Sequence, residues 1–241
     1  MGNLRVVTLL VSLLLFPVTL NYMSPVISVM GAFEGVIAGS VLLFAALFAS
    51  SVFLGRLWCG WLCPGGALQD LVCPLNGRRP GRRADSVKYF IWAVWFGSMI
   101  FILLESWGNL RLRPLFMTEG FVSVDEPSKF LIYYIVVLVL LAAAVTVGMR
   151  GACHSICWMA PFMVYGMALG SVARVPALHI SLDPKPCVNC GLCARACPMG
   201  LDPVASVGSS DVPYECVNCG ECVRACGKKA LRFGFGPRSR S

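Results

Sequence analysis

Between Cys187 and Cys226 the chain reads CVNCGLCARACP, a spacer, and then CVNCGECVRACG. Each half has the form C-x2-C-x2-C-x3-C, and the second half repeats the first 29 residues later. A cubane iron–sulfur centre has four iron corners, each of which takes one thiolate. Three cysteines at two-residue gaps wrap one face of the cube, and the fourth, beyond x3, reaches the neighbouring centre. The spacing therefore predicts two [4Fe–4S] sites. One is held by Cys187, Cys190, Cys193 and Cys226, the other by Cys216, Cys219, Cys222 and Cys197. A zinc ribbon uses two C-x2-C pairs and has no role for a third cysteine two residues on. A disulfide framework belongs to a small secreted domain. Neither reading accounts for the doubled motif.

The rest of the chain is too apolar for an ordinary soluble domain. Of 241 residues, 57% are hydrophobic and 13% charged, a balance that points to membrane spans. Apolar runs at 6–20, 35–54, 87–104 and 130–147 predict four transmembrane helices. The net charge of +8 sits in short segments between these runs, so it marks membrane topology and not a nucleic-acid partner. Arg56, Arg78, Arg79, Arg82, Arg83 and Lys88 separate the second and third runs, whereas no basic residue separates the first and second. Arg111, Arg113 and Lys129 separate the third and fourth. By the positive-inside rule, both chain ends and the middle loop face the cytoplasm. Trp92 and Trp95 in the third run, and Trp58, Trp61 and Trp158, read as interface anchors. The stretch 158–173, interrupted by Pro161, Gly166 and Gly170, reads as a helix lying at the interface or buried against the bundle. The expected division is a membrane domain over 1–175 and a small α+β domain over 176–241, closing on the basic end GPRSRS.

The membrane half carries its own repeat. Arg56-x2-Cys59-x3-Cys63 follows the second run, and Arg150-x2-Cys153-x3-Cys157 follows the fourth. Two hairpins, each ending in the same motif, predict a pseudo-twofold axis along the membrane normal. If the local chain is helical, x3 spacing puts both thiols of a pair on one face. Four converging thiols, Cys59, Cys63, Cys153 and Cys157, could bind a third metal centre or form disulfides. One isolated pair would read as small buried hydrophobes; two matched pairs at one membrane face favour a redox or metal role. Cys73, in LVCPL, has no partner in this pattern and is expected to be structural. Arg56 and Arg150 are expected to snorkel to lipid headgroups.

Taken in order, GRLWCGWLCPGG, RGACHSICWMAPF and the two tail motifs resemble the NapH/MauN-like membrane ferredoxins, a quinol dehydrogenase-type family, over essentially the whole chain. The resemblance implies a membrane bundle of four helices in two repeated hairpins, with a 2[4Fe–4S] ferredoxin domain facing the cytoplasm of a prokaryote at its inner membrane. It implies an electron-transfer subunit of an oxidoreductase, with quinone as substrate, and lipid and other redox subunits as partners. Two positions depart from the family pattern. Trp158 follows Cys157 where the family has proline, and Gly227 follows Cys226 where proline is usual. Glycine fixes that turn less firmly.

Quinol chemistry also needs a proton acceptor. Glu34, at the start of the second run, is the candidate proton or quinone contact, although a carboxylate there also suits a helix N-terminus. His154, inside the second membrane motif, could ligate metal, carry a proton or serve as a hydrogen-bonded structural residue. The absence of C-x-x-C-H argues against attached haem. Two other readings stand beside the quinone-linked one. The paired thiols could serve a redox-sensing or maturation accessory protein, or the bundle could anchor a ferredoxin domain to a larger redox complex.

Overall fold

The computed structural model describes residues 2–106, 108, 110–118, 121–208 and 214–237, so the basic end at 238–241 lies outside the described residues. The chain opens with α1 (Gly2–Leu14) and a short α2 (Phe16–Thr19), then α3 (Pro25–Phe33), which is capped by the Ser24 hydroxyl accepting from Ile27 N–H. A three-residue strand β1 (Val36–Ala38) leads into α4 (Gly39–Leu54). Two short helices follow, α5 (Leu57–Trp61) and α6 (Pro64–Val72), and then the long α7 (Arg82–Glu105). Strand β2 (Arg111–Arg113) pairs in parallel with β1 before α8 (Pro127–Val147). Next come α9 (Gly151–Ser155) and α10 (Met159–Val172). The tail comprises β3 (Pro176–Leu182), α11 (Leu192–Arg195), α12 (Pro203–Gly208), α13 (Glu221–Ala225) and β4 (Leu231–Pro237).

Two helices are long and apolar enough to cross a membrane, Ala84–Glu105 and Pro127–Val147. They match the third and fourth expected spans. The side chains of α8 are largely exposed, Leu131 and Leu138 by 66% each, as expected of a surface facing lipid. The first two runs differ from expectation. The first breaks at Leu15, just before Pro17, into α1 and α2, because proline cannot continue a helix without losing a backbone bond. In the second, Gly35 takes a positive φ of 66° and residues 36–38 are extended, which leaves a 16-residue α4. A helix spanning the hydrocarbon needs about 20 residues.

The stretch expected at the interface or against the bundle is α10, buried along most of its length against α4. Its Gly166 and Gly170 make this contact possible. A Cβ on Gly166 would lie 2.0 Å from Ser51 Oγ, and one on Gly170 would lie 2.9 Å from the Val52 carbonyl. Glycines one turn apart let two helix backbones approach closely. At one end of this pair an aromatic cluster ties in α7: Phe44 stacks on Phe162 at 5.3 Å, and Trp95 meets Phe44 edge-on at 5.7 Å. Trp92 and Trp95 are therefore packing residues of the core rather than interface anchors.

The tail is a small α+β unit closed by the antiparallel pair β3–β4, in register from Pro176↔Pro237 to Leu182↔Leu231. Its two cysteine loops repeat in backbone as well as sequence. Asn189 and Asn218 have φ of 52° and 49°, and Gly191 and Gly220 have φ of 73° and 78°. Left-handed backbone is open to Gly and tolerated by Asn, which explains the N-C-G within each motif.

Candidate metal centres

The tail brings its eight motif cysteines together in two sets. Cys187, Cys190, Cys193 and Cys226 line one cavity, and Cys197, Cys216, Cys219 and Cys222 line another. Each set takes three thiols from one loop and one from the other. Burial, the largest influence, pushes the Cys216 thiol up to about 12, so a thiolate at that depth requires a bound cation.

The two membrane motifs also converge. Each begins after a positive-φ glycine that stops a long helix, Gly55 after α4 and Gly148 after α8. The expected single helical face is not what forms. Cys59 lies in α5 and Cys153 in α9, but each helix stops after five residues, and Cys63 and Cys157 lie beyond the break. The turn is closed by Leu62 and Cys63 N–H groups donating to the Trp58 carbonyl, and by Ile156 N–H donating to the Ala152 carbonyl. All four thiols join one buried cluster that also contains Met159, Met163 and Met199. Cys59 Sγ lies 3.9 Å from Met163 Sδ.

Among the described residues, no three cysteine sulfurs lie within 4.8 Å of one another. A tetrahedral zinc ion would hold its thiolates about 3.8 Å apart, given a Zn–S bond of about 2.3 Å. Thiolates bound to separate corners of a cubane spread wider. All thirteen cysteines are free thiols. Burial pushes the Cys157 thiol up to about 12, so ionisation there also calls for a cation. Arg56 is fully buried and faces Cys59, Cys157 and Cys153, yet among the described residues its Nε and Nη2 have no hydrogen-bond partner. Buried guanidinium donors are costly to leave unpaired. An anionic iron–sulfur group among these thiols would accept them.

Arg56 and Arg150 do not snorkel; both are 0% exposed. Their counter-charges were not apparent from their own motifs. Arg56 Nη1 pairs with Glu215 of the tail at 2.5 Å, and Lys88 Nζ donates to the same carboxylate at 2.7 Å. Arg150 donates from Nε to Asp70 Oδ1 at 2.7 Å, from Nη2 to Asp70 Oδ2 at 2.8 Å, and from Nη1 to the Cys59 carbonyl at 2.8 Å. Arg5 completes this group with Asp70 at 2.5 Å and Glu221 at 3.2 Å. Burial opposes the charge on Asp70 and Glu215, but the neighbouring cations outweigh it and hold both carboxyls below their ordinary values. Gln69 straps the two motifs together, accepting from Ala152 N–H at 2.8 Å and donating to Cys153 Sγ at 3.3 Å. The one available signal was LQDL, a polar pair inside an apolar helix beside a cysteine motif.

These contacts fasten the tail to the bundle. Gly60 meets the second cysteine loop so closely that a Cβ would lie 2.3 Å from the Val217 carbonyl. Trp61 Nε1 donates to the Asn218 carbonyl at 3.1 Å, and Asn218 Nδ2 donates to the Leu54 carbonyl at 3.1 Å. Trp158 Nε1 bonds the Met23 carbonyl at 2.8 Å. Trp61 and Trp158 thus tie elements together within the protein, where anchors were expected. Cys197 and Cys219 pack on the four-thiol cluster, while Cys193, Cys222 and Cys226 belong to the tail's own core. The three cysteine sets therefore lie in series.

His154 is buried, with Nδ1 bonded to Asp85 at 2.7 Å, in keeping with the structural reading. Asp85, His154 and Glu215 place ligand atoms within 4.8 Å of one another, but Lys88 Nζ bonds both carboxylates and stands where a cation would sit. Glu34 is exposed at the C-terminal end of α3 and not at a helix start. Cys73 is half-buried outside the thiol cluster.

An apolar cavity of about 500 Å³ opens beside three of the four thiols. Cys63, Cys153, Cys157 and Trp158 form one end, and Phe16, Leu20, Val136 and Leu140 line its walls. Glu34 does not line it.

Residues 36–83, which include Cys59 and Cys63, match the family model described as a 4Fe-4S binding domain. Residues 179–227 match the one described as a 4Fe-4S dicluster domain. The chain is 28% identical over 201 residues to the methylamine utilization ferredoxin-type protein MauN of Methylobacillus flagellatus, covering 79% of this chain and 66% of that one. It is 26% identical over 188 residues to YccM of Escherichia coli, whose name provisionally places it in electron transport, covering 70% of this chain and 49% of YccM. These matches support the similarity to NapH/MauN-like ferredoxins. It also matches an uncharacterized protein of Methanocaldococcus jannaschii, 28% identical over 164 residues that cover 60% of this chain and 52% of that protein. The chain thus spans about half the length of two of these relatives and 66% of the third. No solved structure matches it. The two matched models support an iron–sulfur protein with two 4Fe–4S binding regions.

Proposed function

We propose that the protein exchanges electrons between a membrane quinone pool and redox partners of its tail. The observation that carries this reading is the apolar cavity ending on Cys63, Cys153 and Cys157. Its volume falls within the range of small-molecule sites, and its apolar walls suit a lipid-soluble ring and isoprenoid chain. The four membrane thiols would hold a third iron–sulfur centre, and the two tail sets would hold one [4Fe–4S] cluster each. Bound clusters supply one-electron redox chemistry. The chain's own contribution is to seat the quinone against the first thiol set and to lock the second set onto it through Gly60, Trp61 and Asn218.

In the same reading α1–α2, α4, α7 and α8 sit in a prokaryotic inner membrane with the tail in the cytoplasm. Arg5, Arg56, Lys88 and Arg150 gather at the tail-facing end of the bundle, as the positive-inside rule requires of that side. In place of Glu34, Gln69 is the polar side chain on the cavity wall nearest the thiols.

The test uses anaerobic protein in detergent, mixed with menaquinol or ubiquinol, with cluster signals followed by electron paramagnetic resonance. Quinol reduction or quinone oxidation of the clusters is expected. Val136→Trp, which fills the cavity, should abolish it while leaving the dithionite-reduced signal intact. No exchange with quinone in either direction, or exchange unaffected by Val136→Trp, would overturn the proposal. Cys59→Ser with Cys153→Ser should lower iron by about four per chain; unchanged iron would remove the third centre.

A further inference from the structure

Among the described residues, only tail residues line the cavity of Cys187, Cys190, Cys193 and Cys226. Cys190 is exposed, and Val188 and Leu192 beside it are 61% and 45% exposed. These side chains and Lys228 rim the cavity those four cysteines line. Exposed cations also lie close in sequence on the segments that carry these cysteines: Lys185, Arg195, Lys229 and Arg232. The nearby exposed carboxylates are Asp183 and Asp202, each accepting a backbone N–H bond. Among the described residues no ion pair engages these cations.

The arrangement is an apolar centre with a cationic rim, directly over a redox site. The other tail set is different, since Gly60 and Trp61 cover it from the bundle side. We propose that this face docks an acidic one-electron carrier protein of the flavodoxin type, and that it is where the tail exchanges electrons with soluble partners. An apolar centre of this kind forms the dry core of a transient protein interface, and the rim steers an oppositely charged partner. Lipid headgroups would use the cations but leave Val188, Leu192 and the cysteine loop without a role. The proposal does not depend on the quinone reading, because it concerns the opposite end of the cysteine series.

The experiment is calorimetric titration of oxidised flavodoxin into the full-length, cluster-loaded protein in uncharged, lipid-free detergent at low ionic strength. Binding on the order of micromolar is expected, weakening steeply with salt. Lys228→Glu with Lys229→Glu should weaken it roughly tenfold or more, with iron content and the dithionite-reduced spectrum unchanged. Arg111→Glu with Arg113→Glu, on exposed β2 outside the tail, should leave it unchanged. Absence of binding, equal effects of the two double variants, or equally tight binding of a basic cytochrome c would overturn the proposal. So would binding that is indifferent to salt.

Discussion

Replacing Asp70 by Asn tests the ion-pair group that joins the first helix, the two membrane motifs and the tail. Asp70 neutralises Arg150, which is 0% exposed, and Arg5, which is 7% exposed. Arg150 reaches it through bonds of 2.7 and 2.8 Å, and Arg5 through one of 2.5 Å. Removing one partner of a buried pair typically costs 3–5 kcal/mol, because the other charge stays desolvated. Asp70 retains 19% side-chain exposure and Asn keeps one acceptor oxygen, so the lower end applies, about 3 kcal/mol. For a chain of this length each kcal/mol moves Tm by about 2–4 °C. The expected loss is therefore about 6–12 °C, read by tryptophan fluorescence of the detergent-solubilised protein. Acid should erase the difference. Asp70 is held below its ordinary value of 3.8 in the folded protein. Its stabilisation is thus fully present above that value and is lost as pH falls through the lower, folded one. Wild type and variant should differ by a constant amount from about pH 7 to pH 5, begin to approach each other only below 3.8, and converge at still lower pH. A Tm loss under about 2 °C, or a gap that persists undiminished in acid, would refute the assignment of Asp70 as the counter-ion.

Gly60→Val should push the second cysteine loop off the bundle, since even a Cβ would lie 2.3 Å from the Val217 carbonyl. Limited proteolysis should then release the tail faster than in wild type. Gly166→Leu should separate α4 from α10, because the space is already taken by Ser51 Oγ at 2.0 Å and the Phe48 carbonyl at 2.5 Å from a Cβ. A loss of at least 1–3 kcal/mol, typical of overpacking, is expected in the same thermal assay. Cys219→Ser should remove iron from the set locked to the bundle and loosen the tail, whose small core leans on metal binding for stability. Wild-type protease resistance in that variant would count against this.

The two tail cysteine sets were legible because cluster spacing is a local constraint, and a doubled C-x2-C-x2-C-x3-C leaves few geometries open. The repeat of Arg56-x2-Cys59 and Arg150-x2-Cys153 was legible for the same reason. The partners of those arginines were not. A fully buried arginine and a lipid-snorkelling one have the same flanking sequence, and only the docked tail, through Glu215, and the strap helix, through Asp70, tell them apart. The apolar runs were misleading in a related way. Hydropathy reports how much apolar surface a stretch has, but not whether lipid or another helix covers it. In α8 almost nothing among the described residues covers the side chains. In α10 the answer is α4, reached through Gly166 and Gly170. The break at Leu15 and the extended Val36–Ala38 shorten the first two runs, and residues in and around α2, α3 and α8 enclose open ground. The apolar cavity lies there. The helix broken near Pro17 places Phe16 and Leu20 in the wall of that cavity, together with Val136 and Leu140 of α8.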